Sequence, residues 1–292
     1  MKTLYSFPSY VKSTSTVLLN LVLILGLVMT REMSCAEGYV QAASYIPYDQ
    51  ILLFGDSITQ FSEYQGRGFA FAPQVQDDYI RKLDVLNRGF SGYTSSQGLH
   101  VLPQFFPPPH VAKVRLMTVF FGANDAVLPP GDQYVPLDKY KQNLRDIIRH
   151  RIVRHGGTKI ILLTPPPVNE YQLTAFDLSK GVTPLSRMAN NTKMYADACR
   201  EVGESLNVAI ADIWFAFMKQ AGWEAGQPIA GSKDIPENSK LAALLSDGLH
   251  FTAEGYKAMY DEVLRAIREY YPEEAPERQP VHFPPYQFAE DA

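Results

Sequence analysis

The sequence predicts one α/β domain, a parallel five-stranded sheet with helices on both faces. Three observations carry that reading. Short apolar runs alternate with helical spacing at least five times along the chain. The strongest runs, Ile51 to Phe54 and Leu116 to Phe121, are short and of the buried type. Loops bearing Gly, Asp, Ser or Asn follow the C-terminal ends of these strands, the edge at which open α/β sheets bind ligands.

The first strand covers about residues 50–54 and runs into Gly55-Asp56-Ser57-Ile58-Thr59. Gly-Asp after an apolar run reads as a sharp turn, with a helix beginning behind it. On its own, Ser57 there reads equally well as a helix N-cap. Phe69 to Ile80 can form a helix, and Asp84 to Asn87 lies in a second strand. Arg88 to Thr94 is a loop holding Gly89 and Gly92, and Pro107-Pro108-Pro109 marks an extended connection. Arg115 to Phe121 is the third strand, ending in Gly122-Ala123-Asn124-Asp125. Asp138 to His155 reads as one helix, with Tyr140, Leu144, Ile147, Ile148 and Ile152 on one face and Gly156-Gly157 at its close. Lys159 to Leu163 is the fourth strand, stopped by three prolines. A long helix is expected over about 185–206, a fifth strand over Val208 to Ala211, and a helix over Asp212 to Gly222. Thr252 suits the N-cap of a last helix reaching about Tyr270, with Glu254 in its first turn. Residues 272–292 are proline-rich and read as a tail laid over the surface.

Ahead of this domain, assigned to residues 48–271, stand a linker over 36–47 and an N-terminal segment over 1–35. Val17 to Met29 is apolar apart from Asn20 and Gly26, too short for a membrane span of about 20 residues. With Lys2 and Lys12 ahead of it and Ser34, Cys35 and Ala36 after it, it reads as a secretory signal or a signal anchor, with membrane contact through residues 17–29. The expected location is therefore secreted or membrane-anchored, or cytoplasmic if the segment is a non-native leader. Asn190-Asn191-Thr192 is a glycosylation acceptor pattern that acquires meaning only in a secreted chain.

Composition excludes several classes of function. A chain of 292 residues with 46% hydrophobic and 20% charged residues is an ordinary globular protein. The net charge of −4, without a Lys/Arg block, speaks against a nucleic-acid partner. Two cysteines, Cys35 and Cys199, make no disulfide framework, and neither Cys-x-x-Cys nor His-Glu-x-x-His announces a metal site. Composition leaves the oligomeric state open.

The chemistry sits in four places. Ser57, Gly92 and Asn124 stand in loops at strand ends, and Asp247-Gly248-Leu249-His250 precedes the last helix. Of the six histidines only His250 has an acid three residues earlier. Two side chains three apart on a tight turn can meet, so Asp247 can hold the imidazole in one tautomer and stabilise its cation. An imidazole held so is a competent general base for a serine hydroxyl. Acyl transfer also needs donors aimed at the developing oxyanion. Ser57 N–H, Gly92 N–H and the Asn124 amide can supply them, with the Asn124 oxygen tied back to the protein. Taken singly, Asn124 reads as a turn residue, Gly92 as a turn glycine, Asp56 as a turn acid and Asp125 as a helix cap. Phe90 and Tyr93 read as packing beneath the site or lining it.

Gly55-Asp56-Ser57-Ile58, Gly92, Gly122-Ala123-Asn124-Asp125 and Asp247-Gly248-Leu249-His250, in that order, resemble the four signature blocks of the SGNH (GDSL) hydrolase superfamily. The fuller strings Leu52 to Gln60, Arg88 to Tyr93, Phe121 to Ala126 and Asp247 to Phe251 resemble its isoamyl acetate-hydrolysing esterase branch. The resemblance implies a three-layer, flavodoxin-like fold. It implies Ser57 as nucleophile, His250 as base, Asp247 as its orienter, and Ser57, Gly92 and Asn124 as the oxyanion hole. The implied function is hydrolysis of small carboxylic esters, short-chain acetates first, with a small-molecule ester as partner and no cofactor. The same residues would serve a lysophospholipase, a thioesterase, a carbohydrate deacetylase or an acyltransferase. An inert binding protein on the same fold would need a blocked pocket.

Overall fold

Strand β1, Gln50–Gly55, is an interior strand of the sheet, and its side chains explain the layers around it. Successive side chains of a strand point to opposite faces. Ile51 and Leu53 enter one apolar core, Leu52 and Phe54 the other, and all four are at most 2% exposed. Both faces are covered, so the strand has no polar alternation to show. In this computed structural model, which describes residues 47–181 and 186–291, the strand order is β2-β1-β3-β4-β5 and every neighbouring pair is parallel. The other strands are β2 Asp84–Gly89, β3 Val114–Phe120, β4 Lys159–Leu163 and β5 Ala209–Ala211. The expected five-stranded α/β architecture is the one found.

Helices α1 Ser57–Gln60, α2 Phe71–Asp78, α3 Ser95–Phe105, α4 Leu137–Arg149, α5 Arg151–His155, α6 Glu170–Ser179, α7 Ala189–Leu206, α8 Ile213–Gln220, α9 Ser239–Leu244 and α10 Ala253–Tyr270 connect and cover the strands. Phe71 and Val75 of α2, Trp214 and Phe217 of α8, and Met259 and Val263 of α10 fill the core that holds Ile51 and Leu53. Leu102 of α3, Leu144 and Ile147 of α4, and Cys199 and Val202 of α7 fill the other.

Several boundaries differ from the sequence reading for local reasons. The helix expected over 138–155 breaks at His150, which is extended at φ −56° and ψ 135° and accepts from Ile152 N–H through its ring at 3.4 Å. Helix α3 was not expected, although Thr94 and Gln97 form a capping box, with Thr94 N–H donating to Gln97 Oε1 at 2.9 Å. Helix α6 follows the Pro165-Pro166-Pro167 stop, started by Asn169, whose side chain accepts from Tyr171 N–H at 3.0 Å. Helix α7 begins at Ala189, leaving Arg187 outside it. Thr252 caps α10 as expected, accepting from Gly255 N–H at 3.2 Å.

After α10 the chain runs through short 3₁₀ turns. Glu274 is 3% exposed and pairs with Arg115 at 2.8 Å and Lys159 at 2.7 Å, while Tyr79 Oη donates to its carbonyl. Arg115 and Lys159 lie at the starts of β3 and β4, the end of the sheet opposite the strand ends that carry Ser57 and Asn124.

The location expected from the N-terminal segment requires correction. No helix among the described residues is long and apolar enough to cross a membrane, which does not support an apolar membrane anchor. The apolar run over 17–29 and all but the last residue of the linker over 36–47 lie outside the described residues.

Candidate active site

Sheet register brings the first three loops together. Gly55 at the end of β1 stands opposite Gly89 of β2 on one side and Phe120 of β3 on the other. The loops that leave these neighbouring positions carry Ser57, Gly92 and Asn124. The Ser57 loop is therefore flanked by the other two, and Asn124 Nδ2 donates to Tyr93 O at 2.9 Å across them.

Ser57 opens helix α1, but Asp56 is its cap: the Asp56 carboxylate accepts from Ile58 N–H at 2.9 Å. The serine hydroxyl is thus free of a capping duty, and Ser57 Oγ stands 2.9 Å from His250 Nε2. The other ring nitrogen, Nδ1, lies 2.7 Å from Asp247 Oδ2. An ionised carboxylate only accepts, so Nδ1 carries the proton and Nε2 is left to accept from Ser57. The chain between Asp247 and His250 is held by the same carboxylate: Asp247 Oδ1 accepts from Leu249 N–H at 3.0 Å and His250 N–H at 2.8 Å. Gly248 makes this turn possible, with φ at +89°, and a Cβ there would fall 2.5 Å from Asn169 O. Burial raises the Asp247 pKa, but the His250 ring and the two backbone donors outweigh it, and the net shift is downward.

Gly92 has φ at +81°, the left-handed region that glycine enters without a Cβ penalty. Asn124 is 4% exposed and its amide is almost fully committed. One N–H goes to Tyr93 O, and the oxygen accepts from Arg187 Nη2 at 3.0 Å. One N–H remains. Arg187 is itself 7% exposed and also donates to Ala123 O at 2.8 Å and Gln133 Oε1 at 3.2 Å, while Gln133 Nε2 donates to Gly92 O at 2.7 Å. Sequence reading missed Arg187 and Gln133. The one was placed inside an expected helix, the other in an unremarked loop, and a side-chain contact across 63 residues has no periodicity to betray it.

Asp125 is fully buried and accepts from Ser95 N–H at 3.0 Å. It holds the start of α3, an earlier helix rather than the one that follows it in sequence. Phe90 and Tyr93 stack at 5.1 Å, with Phe90 also against Phe105 at 5.7 Å, which is packing. A cleft of about 980 Å³ opens beside the histidine. His250 and Asp247 stand in its wall, and Phe61, Tyr64, Phe69 and Phe176 line it with Arg67 and Glu254. Phe61 lies against the imidazole, ring centres 5.5 Å apart.

Asp56 carries a pH signature. Burial, partly offset by the Ile58 N–H bond and by His250, raises its pKa from 3.8 to about 7. The folded protein keeps this proton up to about pH 7, whereas the unfolded chain releases it near pH 3.8. Between those values the folded state binds more protons, so this group's effect is a loss of stability as pH rises, level again above about 7. At about 1.4 kcal/mol per pH unit the loss reaches at most ~4 kcal/mol. Asp56→Asn keeps an oxygen for Ile58 N–H and removes the titration. Its unfolding free energy, by urea at pH 5 and pH 8, is expected to fall less between the two than that of the parent protein. Equal falls would show that Asp56 ionises normally.

Comparison with known proteins identifies the family. The profile of the GDSL-like Lipase/Acylhydrolase family matches residues 53–258. A GDSL esterase/lipase of Arabidopsis thaliana is 34% identical over 227 residues, covering 75% of this chain and 86% of its own. An isoamyl acetate-hydrolyzing esterase 1 homolog of Mus musculus is 34% identical over 223 residues, covering 75% and 81%. Among solved structures, a lipase/acylhydrolase from Enterococcus faecalis superposes with a TM-score of 0.53 at 25% identity, over 81% of this chain and 100% of its own. An acetyl-xylooligosaccharide esterase from Geobacillus superposes with a TM-score of 0.54 over 75% of this chain and 94% of its own, at 21% identity, which speaks to the fold alone.

Proposed function

The chain belongs to the GDSL-like lipase/acylhydrolase family and is a carboxylic ester hydrolase, and from that premise we propose that Ser57, His250 and Asp247 are its catalytic triad, acting on esters of short acyl chains. The observation that carries the proposal is the unbroken contact from Ser57 Oγ through the imidazole to Asp247. His250 Nε2 takes the hydroxyl proton as Ser57 Oγ attacks the ester carbonyl carbon. The carbonyl oxygen becomes an oxyanion, held by Ser57 N–H, Gly92 N–H and the uncommitted Asn124 N–H. His250, now a cation stabilised by Asp247, returns its proton to the leaving alkoxide oxygen and the alcohol departs. Water then enters, gives a proton to Nε2 and attacks the acyl carbon, and Ser57 leaves with that proton as the carboxylic acid is released.

The histidine hands its proton to the leaving oxygen, so the alcohol portion lies on the His250 side, where the aromatic cleft opens. A bulky alcohol with a small acyl group fits that division, and the relative named for isoamyl acetate combines a small acyl group with a larger alcohol. The test is a two-way panel on the full chain. With one alcohol held constant, kcat/KM is expected to fall at least tenfold from acetyl to octanoyl esters. With acetyl held constant, it is expected to rise from ethyl to isoamyl or benzyl alcohol esters. A preference for octanoyl esters would turn the cleft into an acyl site and favour a lysophospholipase-type activity.

A further inference from the structure

A carboxamide is nearly symmetric in shape, so sterics alone leave the Asn124 amide free to point either its oxygen or its nitrogen at a reacting carbonyl. Only the nitrogen helps an oxyanion. The Asn124 oxygen must therefore be held on the far side by a group that can donate and cannot accept. Arginine is such a group, with five donors and no acceptor. Arg187 Nη2 meets Asn124 Oδ1 at 3.0 Å and Gln133 Oε1 at 3.2 Å. Gln133, its oxygen held there, turns its nitrogen to Gly92 O at 2.7 Å. One guanidinium thus sets the direction of the Asn124 amide and, through Gln133, fastens the loop of Gly92.

The charge has a second consequence. Arg187 is 7% exposed, and its four hydrogen bonds all end on neutral oxygens: Ala123 O, Asn124 Oδ1, Gln133 Oε1 and Ser186 Oγ. Asp56, Asp177 and Asp247 act on it only through space. A buried cation without a contacting anion sits in surroundings that favour a negative charge nearby. The charge also polarises Asn124 through its oxygen and strengthens the remaining N–H as a donor. We propose that Arg187 is a positioning residue that, with Gln133, locks both loop donors of the oxyanion hole in their donating orientation and biases the site towards the anionic tetrahedral intermediate. The proposal rests on Gly92 and Asn124 being those donors.

The experiment compares Arg187→Met, Arg187→Lys, Gln133→Ala and Asn124→Ala in the full chain. It reads kcat and KM for an acetate ester, and Ki for an alkyl boronic acid, whose serine adduct is tetrahedral and anionic. Asn124→Ala is expected to lower kcat by about 10²–10³-fold. Arg187→Met is expected to lower kcat by about 10–100-fold and raise the boronate Ki in parallel, with KM within about threefold. Combined with Asn124→Ala it should add only the several-fold loss of the Gly92 arm, because its other action passes through that amide. Arg187→Lys, a donor without the planar fork, should recover part of the loss. Gln133 is only half-buried, so Gln133→Ala tests the Gly92 arm without endangering the fold, with several-fold loss in kcat and boronate affinity expected. If Arg187→Met fails to fold, Arg187→Lys and Gln133→Ala carry the test: full kcat and boronate affinity in both overturns the proposal. So does a folded Arg187→Met with kcat within twofold of the parent while Asn124→Ala is impaired. An Asn124→Ala protein with full activity overturns the donor assignment itself, and this inference falls with it.

Discussion

Replacing Ser57 by alanine is expected to lower kcat for a simple ester by roughly 10⁴–10⁶-fold, the loss that follows when a triad nucleophile is removed and only the binding and oxyanion groups remain. The size of the loss comes from the loss of the covalent route. Without Oγ, His250 has only water to activate, and water is not held where the serine oxygen stands. The same substitution should cost little stability. Ser57 Oγ bonds to His250, whereas the cap of α1 is the Asp56 carboxylate, which alanine at 57 leaves in place. Turnover of nitrophenyl acetate, labelling by a fluorophosphonate and a thermal melt decide the matter together. Lost turnover and lost labelling in a protein that melts cooperatively are the expected results. Retained turnover would remove Ser57 from the mechanism, and an unlabelled parent protein would make the chain an inert binder.

Much of this site was legible because its chemistry is local in sequence. Asp247 and His250 are three residues apart, and their contact needs only a tight turn. Ile51 to Phe54 leads straight into Ser57, so strand, turn and hydroxyl are read as one string. What joins the strings is not local. Register between β1, β2 and β3 sets the three loops side by side, and no single stretch encodes register. Arg187 acts on Asn124 from 63 positions away, and its place before α7 rather than within it depends on where the helix begins. Hydrophobic spacing carried α4 one element too far, because Ile152 continues the apolar face although His150 has left the helix. Helix α3 was missed for the opposite reason: Pro103 and Gly98 blur its pattern, and the signal at Thr94 and Gln97 is two residues of capping chemistry. Periodicity reports burial, and it is blind to caps and to hydrogen bonds between loops.

Asp247→Asn is the second large effect, expected to lower kcat by about 10³–10⁴-fold with little change in KM. The two oxygens of Asp247 do different work. Oδ1 faces two backbone donors, Leu249 N–H and His250 N–H, while Oδ2 faces the ring. In an asparagine the two backbone donors claim the single oxygen, and the amide nitrogen is left towards His250 Nδ1. That nitrogen donates, so Nδ1 must give up its proton and accept, and the ring proton moves to Nε2. Nε2 then faces Ser57 Oγ as a donor, unable to take the hydroxyl proton. The loss of the carboxylate also leaves the imidazolium without its partner when it forms. Backbone geometry is preserved, so the melting profile should change little and the ester should still bind. Fluorophosphonate labelling should slow in step with kcat, since both need Ser57 deprotonated by the same nitrogen. A variant whose kcat drops less than tenfold would show that the turn, rather than the charge and the tautomer, is what His250 requires from residue 247.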